Sequence, residues 1–370
     1  MPIFMDRHDS PGITEIDAAE AHKKDIKIQH KYNCKAFTYW FDAERGNVFC
    51  LIEAPDEEAV VSWHNEAHGD IPNQIIKVQF NIVEAFLGRI KDPEARDEIE
   101  LLKLIGPAFR AIMVINLKDT ALLKSKLGNT ESAGLLKLCN ESIEQAIEKY
   151  EGREVEYTGE TILASFISTS NAVKCTLDIQ EHFRKQNRQK SCPPIDVAIG
   201  LSAGNPVTDK DEFFGDAILF AKRLAYVAGK GQILMSSVVG DKYKKEKSEL
   251  LSGEGIVKTL NPMEEKFLGR LMSIAEKAWN QSGFKLGDFN SQMGLSKSQL
   301  YRHTTALTGY SPSEFLKEYK LNKALELIER QQDNIAQIAL ETGFNNPSYF
   351  SKCFYRRFGI LPRDFAHSIA

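Results

Sequence analysis

The chain of 370 residues carries 42% hydrophobic and 26% charged residues and a formal net charge of −4. That is the composition of an ordinary soluble globular protein, long for one domain and suited to two or three. No apolar run approaches the ~20 residues needed to span a bilayer, so no membrane partner is expected.

The six cysteines, at 34, 50, 139, 175, 192 and 353, include no Cys-x-x-Cys pair. Reduced thiols in a cytoplasm are expected rather than a disulfide framework. Met1-Pro2-Ile3-Phe4-Met5-Asp6 leads straight into a strand-like segment, without the basic n-region and apolar core of a signal peptide. Charge is uneven along the chain. Residues 1–80 hold 8 Lys and Arg against 14 Asp and Glu, whereas residues 263–370 hold 14 against 11.

Residues 2–79 read as strand, helix, strand, strand, helix, strand. The strands are expected over 2–8, 35–42, 47–53 and 74–80, and the helices over 17–32 and 55–68. That order is a ferredoxin-like βαββαβ arrangement. His64-Asn-Glu-Ala-His68 sets two imidazoles one helical turn apart on one face, a spacing that suits either a shared metal or a solvated pair. Asp6 and His8 alternate onto one face of the first strand and can join them. Asp6-Arg-His8, Ala21-His22-Lys-Lys-Asp25, Thr38-Tyr-Trp-Phe41, Phe49-Cys-Leu-Ile-Glu-Ala-Pro55 and His64-Asn-Glu-Ala-His-Gly69 resemble a family of small ferredoxin-like bacterial domains that includes nickel-binding proteins. The resemblance implies a metal site, with His8, His22, His64 and His68 as candidate ligands. Imidazole suits nickel and other divalent transition metals alike. Affinity is expected to fall as pH drops through the His pKa of ~6.5.

Residues 81–104 read as a charged helical connector. Beyond it, strand-like runs (109–117, a hairpin over 154–166, 195–204, 231–236) alternate with helical ones (119–127, 132–150, 170–184, 216–227), which predicts an α/β domain. Gly152-Arg-Glu-Val-Glu-Tyr-Thr-Gly159, Val197-Ala-Ile-Gly-Leu-Ser-Ala-Gly204, Phe214-Gly-Asp-Ala217 and Gly231-Gln-Ile-Leu-Met-Ser-Ser237 resemble the class III adenylate/guanylate cyclase homology domain. Active members hold two divalent ions on two aspartates. Here the resemblance places Asn116 and Glu160 at those positions, and Leu219 and Arg223 where an asparagine and an arginine are expected. Three departures among four positions imply a domain without turnover, since little remains to neutralise developing phosphate charge. Asp119 lies near enough to Asn116 to stand in only after a register slip. Because class III sites form between two subunits, a homodimer is expected.

Residues 241–249 form a mixed charge run and 250–261 a glycine-containing link. Then comes an apolar-spaced helix ending at Gly294, followed by a helix opened by the capping box Ser296–Gln299 and stopped by Gly309. Ser311-Pro312-Ser313-Glu314 opens a longer connecting helix. A second unit repeats the design, with Gly343 at the turn and Asn346-Pro347 opening its second helix. Two capped units of this kind are the DNA-reading pattern. Lys320-Leu-Asn-Lys-Ala, Ile338-Ala-Leu-Glu-Thr-Gly-Phe344 and Pro347-Ser-Tyr-Phe-Ser-Lys-Cys-Phe354 resemble the AraC/XylS family of transcription regulators. By position in that family, Ser298, Tyr301 and Arg302 face bases in one major groove of double-stranded DNA. Asn346, Ser348, Tyr349 and Lys352 face bases in the next, with Lys297 and Arg356 nearer phosphate. The alternative for Tyr301 and Tyr349 is partial packing.

The chain thus reads as a multidomain α+β protein: ferredoxin-like over 1–79, connector 80–106, α/β cyclase-homology 107–245, linker 246–267, and an all-α tandem helix-turn-helix domain over 268–370. The expected function is cytoplasmic, sequence-specific transcription regulation, with an unknown effector. The rivals are an active nucleotide cyclase tethered to DNA and a metal store.

Overall fold

A computed structural model describes residues 1–95, 100, 104–189, 193–246, 256–330 and 334–369. Among the described residues the chain is a mixed α+β protein of two sheets and a helical carboxy-terminal region. The first unit contains β1 (Ile3–Asp9), α1 (Glu15–Ile28), β2 (Lys35–Asp42), β3 (Asn47–Glu53), α2 (Glu57–Ala67) and β4 (Gln74–Val78). Its sheet is antiparallel in the order β2-β3-β1-β4. The helix expected to reach residue 32 turns into a 3-10 segment at Gln29–Tyr32.

Both faces of this sheet carry buried apolar side chains, and strand alternation divides them. Phe4, Tyr39, Phe41, Cys50 and Ile52 pack with Val60 and Trp63 under the domain's own helices. Met5, Trp40, Phe49, Leu51 and Ile76 face the other way, into a core shared with Ile112, Val114, Leu163 and Phe214 of the middle unit. The amino-terminal sheet is therefore sandwiched, with no wet face.

α3 (Phe80–Leu87) is much shorter than the helix expected over residues 81–104. Gly88, at φ +83°, closes it in the left-handed conformation. The Arg110 guanidinium then caps it, donating to the carbonyls of Phe86 at 3.1 Å and Leu87 at 3.2 Å. Residues 96–99 and 101–103 of that stretch lie outside the described residues.

The middle unit is a six-stranded sheet in the order β10-β9-β8-β5-β7-β6. Its strands are β5 (Arg110–Lys118), β6 (Arg153–Tyr157), β7 (Thr161–Phe166), β8 (Asp196–Gly204), β9 (Ile233–Met235) and β10 (Val257–Thr259). Around them lie α4 (Thr120–Lys149), α5 (Thr169–Gln189), α6 (Gly215–Val227) and α7 (Ser237–Glu246). Gly128, with φ 76° and ψ 171°, breaks α4 into the two helices that the sequence predicts. α7 takes in the start of the expected charge run, and residues 247–255 lie outside the described residues.

The carboxy-terminal helices are α8 (Pro262–Ala278), α9 (Leu286–Met293), α10 (Lys297–Thr308), α11 (Pro312–Glu329), α12 (Ile335–Glu341), α13 (Pro347–Phe358) and α14 (Pro362–Ile369). Residues 262–267, expected as linker, are the opening turns of α8. Asn261 and Glu264 form a capping box there, with Pro262 in the first turn.

Candidate metal centre and nucleic-acid interface

β1 carries Asp6 and His8 onto the helix side of the first sheet, and α2 sets His64 above them. The His64 imidazole stands between two carboxylates, with Nε2 2.9 Å from Asp6 Oδ2 and Nδ1 3.1 Å from Asp25 Oδ1. His8 Nε2 lies 3.5 Å from the same Asp6 oxygen. His68 Nε2 lies 3.2 Å from Asp25 Oδ1 and 3.1 Å from His64 Nδ1. Two candidate ligand groups result, Asp6–His8–His64 and Asp25–His64–His68, sharing one buried ring.

The electrostatics are those of buried imidazole–carboxylate pairs. Burial opposes the charged form of His64, but hydrogen bonds with Asp25 and Asp6 outweigh it and raise its pKa to about 9. Burial likewise opposes charge on His8, and facing Asp6 raises its pKa well above the ordinary value. Burial works against ionised Asp6, yet His8 and His64 hold it far below the usual carboxylate range. The neighbouring His8 imidazole, with Ser10, takes Asp70 down to about 2.

A cavity of about 20 Å³, room for one water-sized occupant, opens among His8, His22, Asp25, Cys50, His68 and Asp70. His8 Nδ1 is buried with no hydrogen-bond partner, and Asp70 Oδ2 stands 3.6 Å away. An orphaned imidazole nitrogen beside such a cavity, with His68, Asp25 and Asp70 also lining it and Asp6 and His64 completing the two ligand groups, fits a borderline divalent ion.

His8, His64 and His68 come together as the sequence suggests. His22 lies outside both ligand groups. It lines the cavity, but its Nε2 is committed to Asp92 Oδ2 at 3.0 Å, and the ring lies against Tyr39. The sequence reading missed Asp25 and Asp70. Asp25 sits three residues beyond His22 on α1, which was the available signal; Asp70 lies in the loop after α2.

In the helical region the caps form as the residues predict. Ser296 Oγ accepts from Gln299 N at 3.3 Å, while Gln299 Oε1 accepts from Ser296 N at 3.1 Å. Asn346 Oδ1 accepts from Ser348 N at 2.8 Å and Tyr349 N at 3.1 Å, so its oxygen caps α13. Leu300, Thr304 and Leu307 bury one face of α10, and Phe350, Phe354 and Phe358 one face of α13. Lys297, Ser298, Tyr301, Arg302, Asn346, Ser348, Tyr349, Lys352 and Arg356 are all exposed. Tyr301 is 57% and Tyr349 56% exposed, so neither ring is buried, and the Tyr349 ring lies beside Phe344 with centroids 6.3 Å apart.

Asn116, Glu160, Leu219 and Arg223 share the wall of a cleft of about 1160 Å³ between the middle unit and the helical region. Asn116 Oδ1 accepts from Thr161 Oγ1 at 3.0 Å, and Glu160 is paired with Lys124 at 2.7 Å. Arg223 donates to Glu276 at 3.1 and 2.6 Å and to Ser273 at 3.0 Å. Asp119 is occupied by Lys230 and Arg357.

Residues 291–368 match the family model described as a helix-turn-helix domain. The carboxy-terminal domain is an AraC-type helix-turn-helix domain. Residues 4–78 match the model described as nickel responsive protein SCO4226-like. Over 107 residues the chain is 33% identical to histidine kinase P4 of Formosa agariphila, covering 29% of this chain and 8% of that one. Over 110 residues it is 28% identical to the HTH-type transcriptional regulator ExsA of Pseudomonas aeruginosa, covering 30% of this chain and 39% of that one. The chain therefore spans well under half of either relative. Among solved structures it is similar to the guanylyl cyclase Cya2, 19% identical with a TM-score of 0.32, covering 36% of this chain and 78% of that one. Among the described residues no helix is long and apolar enough to cross a membrane.

Proposed function

We propose that the chain is a sequence-specific transcription regulator that reads DNA through its AraC-type domain, with the amino-terminal domain as a divalent-metal sensor. The observation that carries the DNA reading is the pair of capped helices α10 and α13. Each buries its apolar face and leaves its polar residues open to solvent. Ser298, Tyr301 and Arg302 read one groove, and Asn346, Ser348, Tyr349 and Lys352 the next, with Lys297 and Arg356 on phosphate. Selection of duplexes from a random pool by the full chain gives the test sequence. Arg302→Ala then costs ~1–3 kcal/mol at its cognate bases and relaxes preference there. Lys297→Ala weakens all sequences alike and reduces the salt slope by about one unit. Equal losses of both variants on specific and random DNA would defeat the assignment.

Metal binding is supported by the buried, orphaned His8 Nδ1 and the two ligand groups that share His64. Asp6, His8, His64, Asp25 and His68 are the residues that would hold nickel or a similar ion, with Asp70 behind His8. The middle domain works without turnover in this reading. Its Arg223 is paired with Glu276, its Glu160 with Lys124, and a leucine stands at 219. Cyclic nucleotide formed from ATP or GTP and lost in Arg223→Ala would revive the enzyme reading.

A further inference from the structure

Both helix-turn-helix units are gripped from the side away from their exposed reading residues. On the first unit's side, Leu268, Leu271 and Met272 of α8 and Phe315 and Tyr319 of α11 share one core with Leu224, Val227 and Leu234 of the middle domain. On the second unit's side, Ala121 of α4 packs with Ala324, Phe354 and Phe358. Polar bridges surround these contacts. Arg223 of α6 holds Glu276 of α8, and Arg357 of α13 donates to Asp119 at 3.0 Å. Lys124 of α4 joins Glu329 of α11 at 2.9 Å, and Asn322 of α11 donates to Tyr226 Oη at 3.1 Å. The bridging side chains are partly shielded, with Arg223 12% and Asp119 19% exposed, so their geometry matters more than that of surface pairs.

We propose that the wall of the 1160 Å³ cleft is the seat of the chain's own DNA-binding domain, and that Arg223 and Asp119 are positioning residues for the two reading helices. This rests on the DNA-binding reading above. Tandem reading helices must enter successive major grooves about 34 Å apart, so freedom between the units costs affinity. One bridge reaches the helix leading into the first unit and another reaches the second reading helix itself. The middle domain thus braces the offset of α10 from α13 while leaving the seven base-reading residues, and Lys297 and Arg356 beside them, in solvent.

The test uses the full chain and a duplex that the wild-type protein selects from a random pool. Arg223→Glu and Glu276→Arg are made singly and together. Each single reversal weakens the selected duplex at least about fivefold, and the double swap restores it to within about twofold. Binding to a duplex truncated to one groove site is unchanged throughout. In parallel, X-ray scattering shows a larger radius of gyration for each single variant and a wild-type value for the swap, which also controls for misfolding. Single variants that bind the selected duplex as the wild type does would overturn the seat, as would a swap that fails to recover. A wild type that selects no duplex defeats the DNA-binding reading instead. In that case scattering alone decides the docking, and identical profiles for all four proteins overturn it.

Discussion

His64 shows what a single side chain does to the chemistry around it. From spacing alone its expected titration lies near ~6.5. Buried between Asp6 and Asp25, it holds its proton to about 9. The sign follows from the raised folded value. The stabilisation that the protonated ring gains is fully present below the unfolded pKa and is lost as pH rises through about 9. A metal must displace that proton, so affinity should keep climbing from about pH 6.5 to about pH 9, by up to about tenfold per unit for each proton released. Calorimetric nickel titration of the full chain across that range checks it, and a plateau already reached at neutral pH would count against the buried pairs. His64→Ala should abolish binding, because it removes the ring common to both ligand groups. His22→Ala, by contrast, should leave affinity within about threefold, since its nitrogen serves Asp92. Equal losses in the two variants would return His22 to the ligand set. The histidine pair was legible because His64 lies in the last turn of α2 and His68 is the residue that caps it. Asp25 and Asp70 were not, because only the fold brings α1 and the loop after α2 to the same point.

At the level of elements, the parts decided by local chemistry read most directly. Caps and turns at Ser296, Gly294, Ser311, Gly343 and Asn346 are all in place, each being a contest between a backbone group and a side chain a few residues away. The helix expected over 81–104 is broken after Leu87 for the opposite reason. What ends it is Gly88 together with Arg110, twenty-two residues away in sequence and invisible to any periodicity. Lys320 is a similar case. Its Nζ is buried and donates to Gln281 O at 3.2 Å in the first unit and Gly343 O at 3.0 Å in the second. A Cβ at Gly343 would stand 2.6 Å from that nitrogen and 2.8 Å from Trp279 O, at a φ of +72°. Gly343→Ala should therefore destabilise the second unit by at least about 1–2 kcal/mol from the left-handed backbone alone. Hydrogen exchange reads it locally: amides of α12 and α13 lose protection while those of β5 and β8 keep theirs. Protection unchanged in α12 would mean that the turn relaxes without cost. Asn346→Ala should cost ~1 kcal/mol in the same assay, confined to the first turns of α13.

Across the whole molecule, the three regions were legible from the order of their elements and their motifs, but their packing was not. An apolar strand residue shows that a face is buried without showing what buries it. Thus Met5, Trp40 and Leu51 gave no sign that their partner was the middle domain. The same alternation suggests how a signal travels. β1 points Asp6 and His8 at the candidate ligand groups and Arg7 the other way, where it donates to Val207 O at 3.3 Å and Asp209 at 2.9 Å. A ligand pulled toward metal moves a strand whose neighbouring residue is pinned to the middle domain. The middle domain in turn holds both reading units. If nickel shifts DNA affinity by some factor, DNA must shift nickel affinity by the same factor, since coupling free energy is reciprocal. For a working sensor that factor should fall in the range of about 5–150. Arg7→Ala, which touches neither the candidate ligands nor the reading residues, should bring it close to one while leaving nickel and DNA affinities measured separately within about threefold of wild type. Nickel titrations with and without the selected duplex, on wild type and Arg7→Ala, give all four numbers. A wild-type factor of one would make the amino-terminal domain a metal store rather than a sensor. A large factor that survives in Arg7→Ala would route the coupling elsewhere, most directly through Asp92, whose N–H donates to Phe37 O of the first sheet.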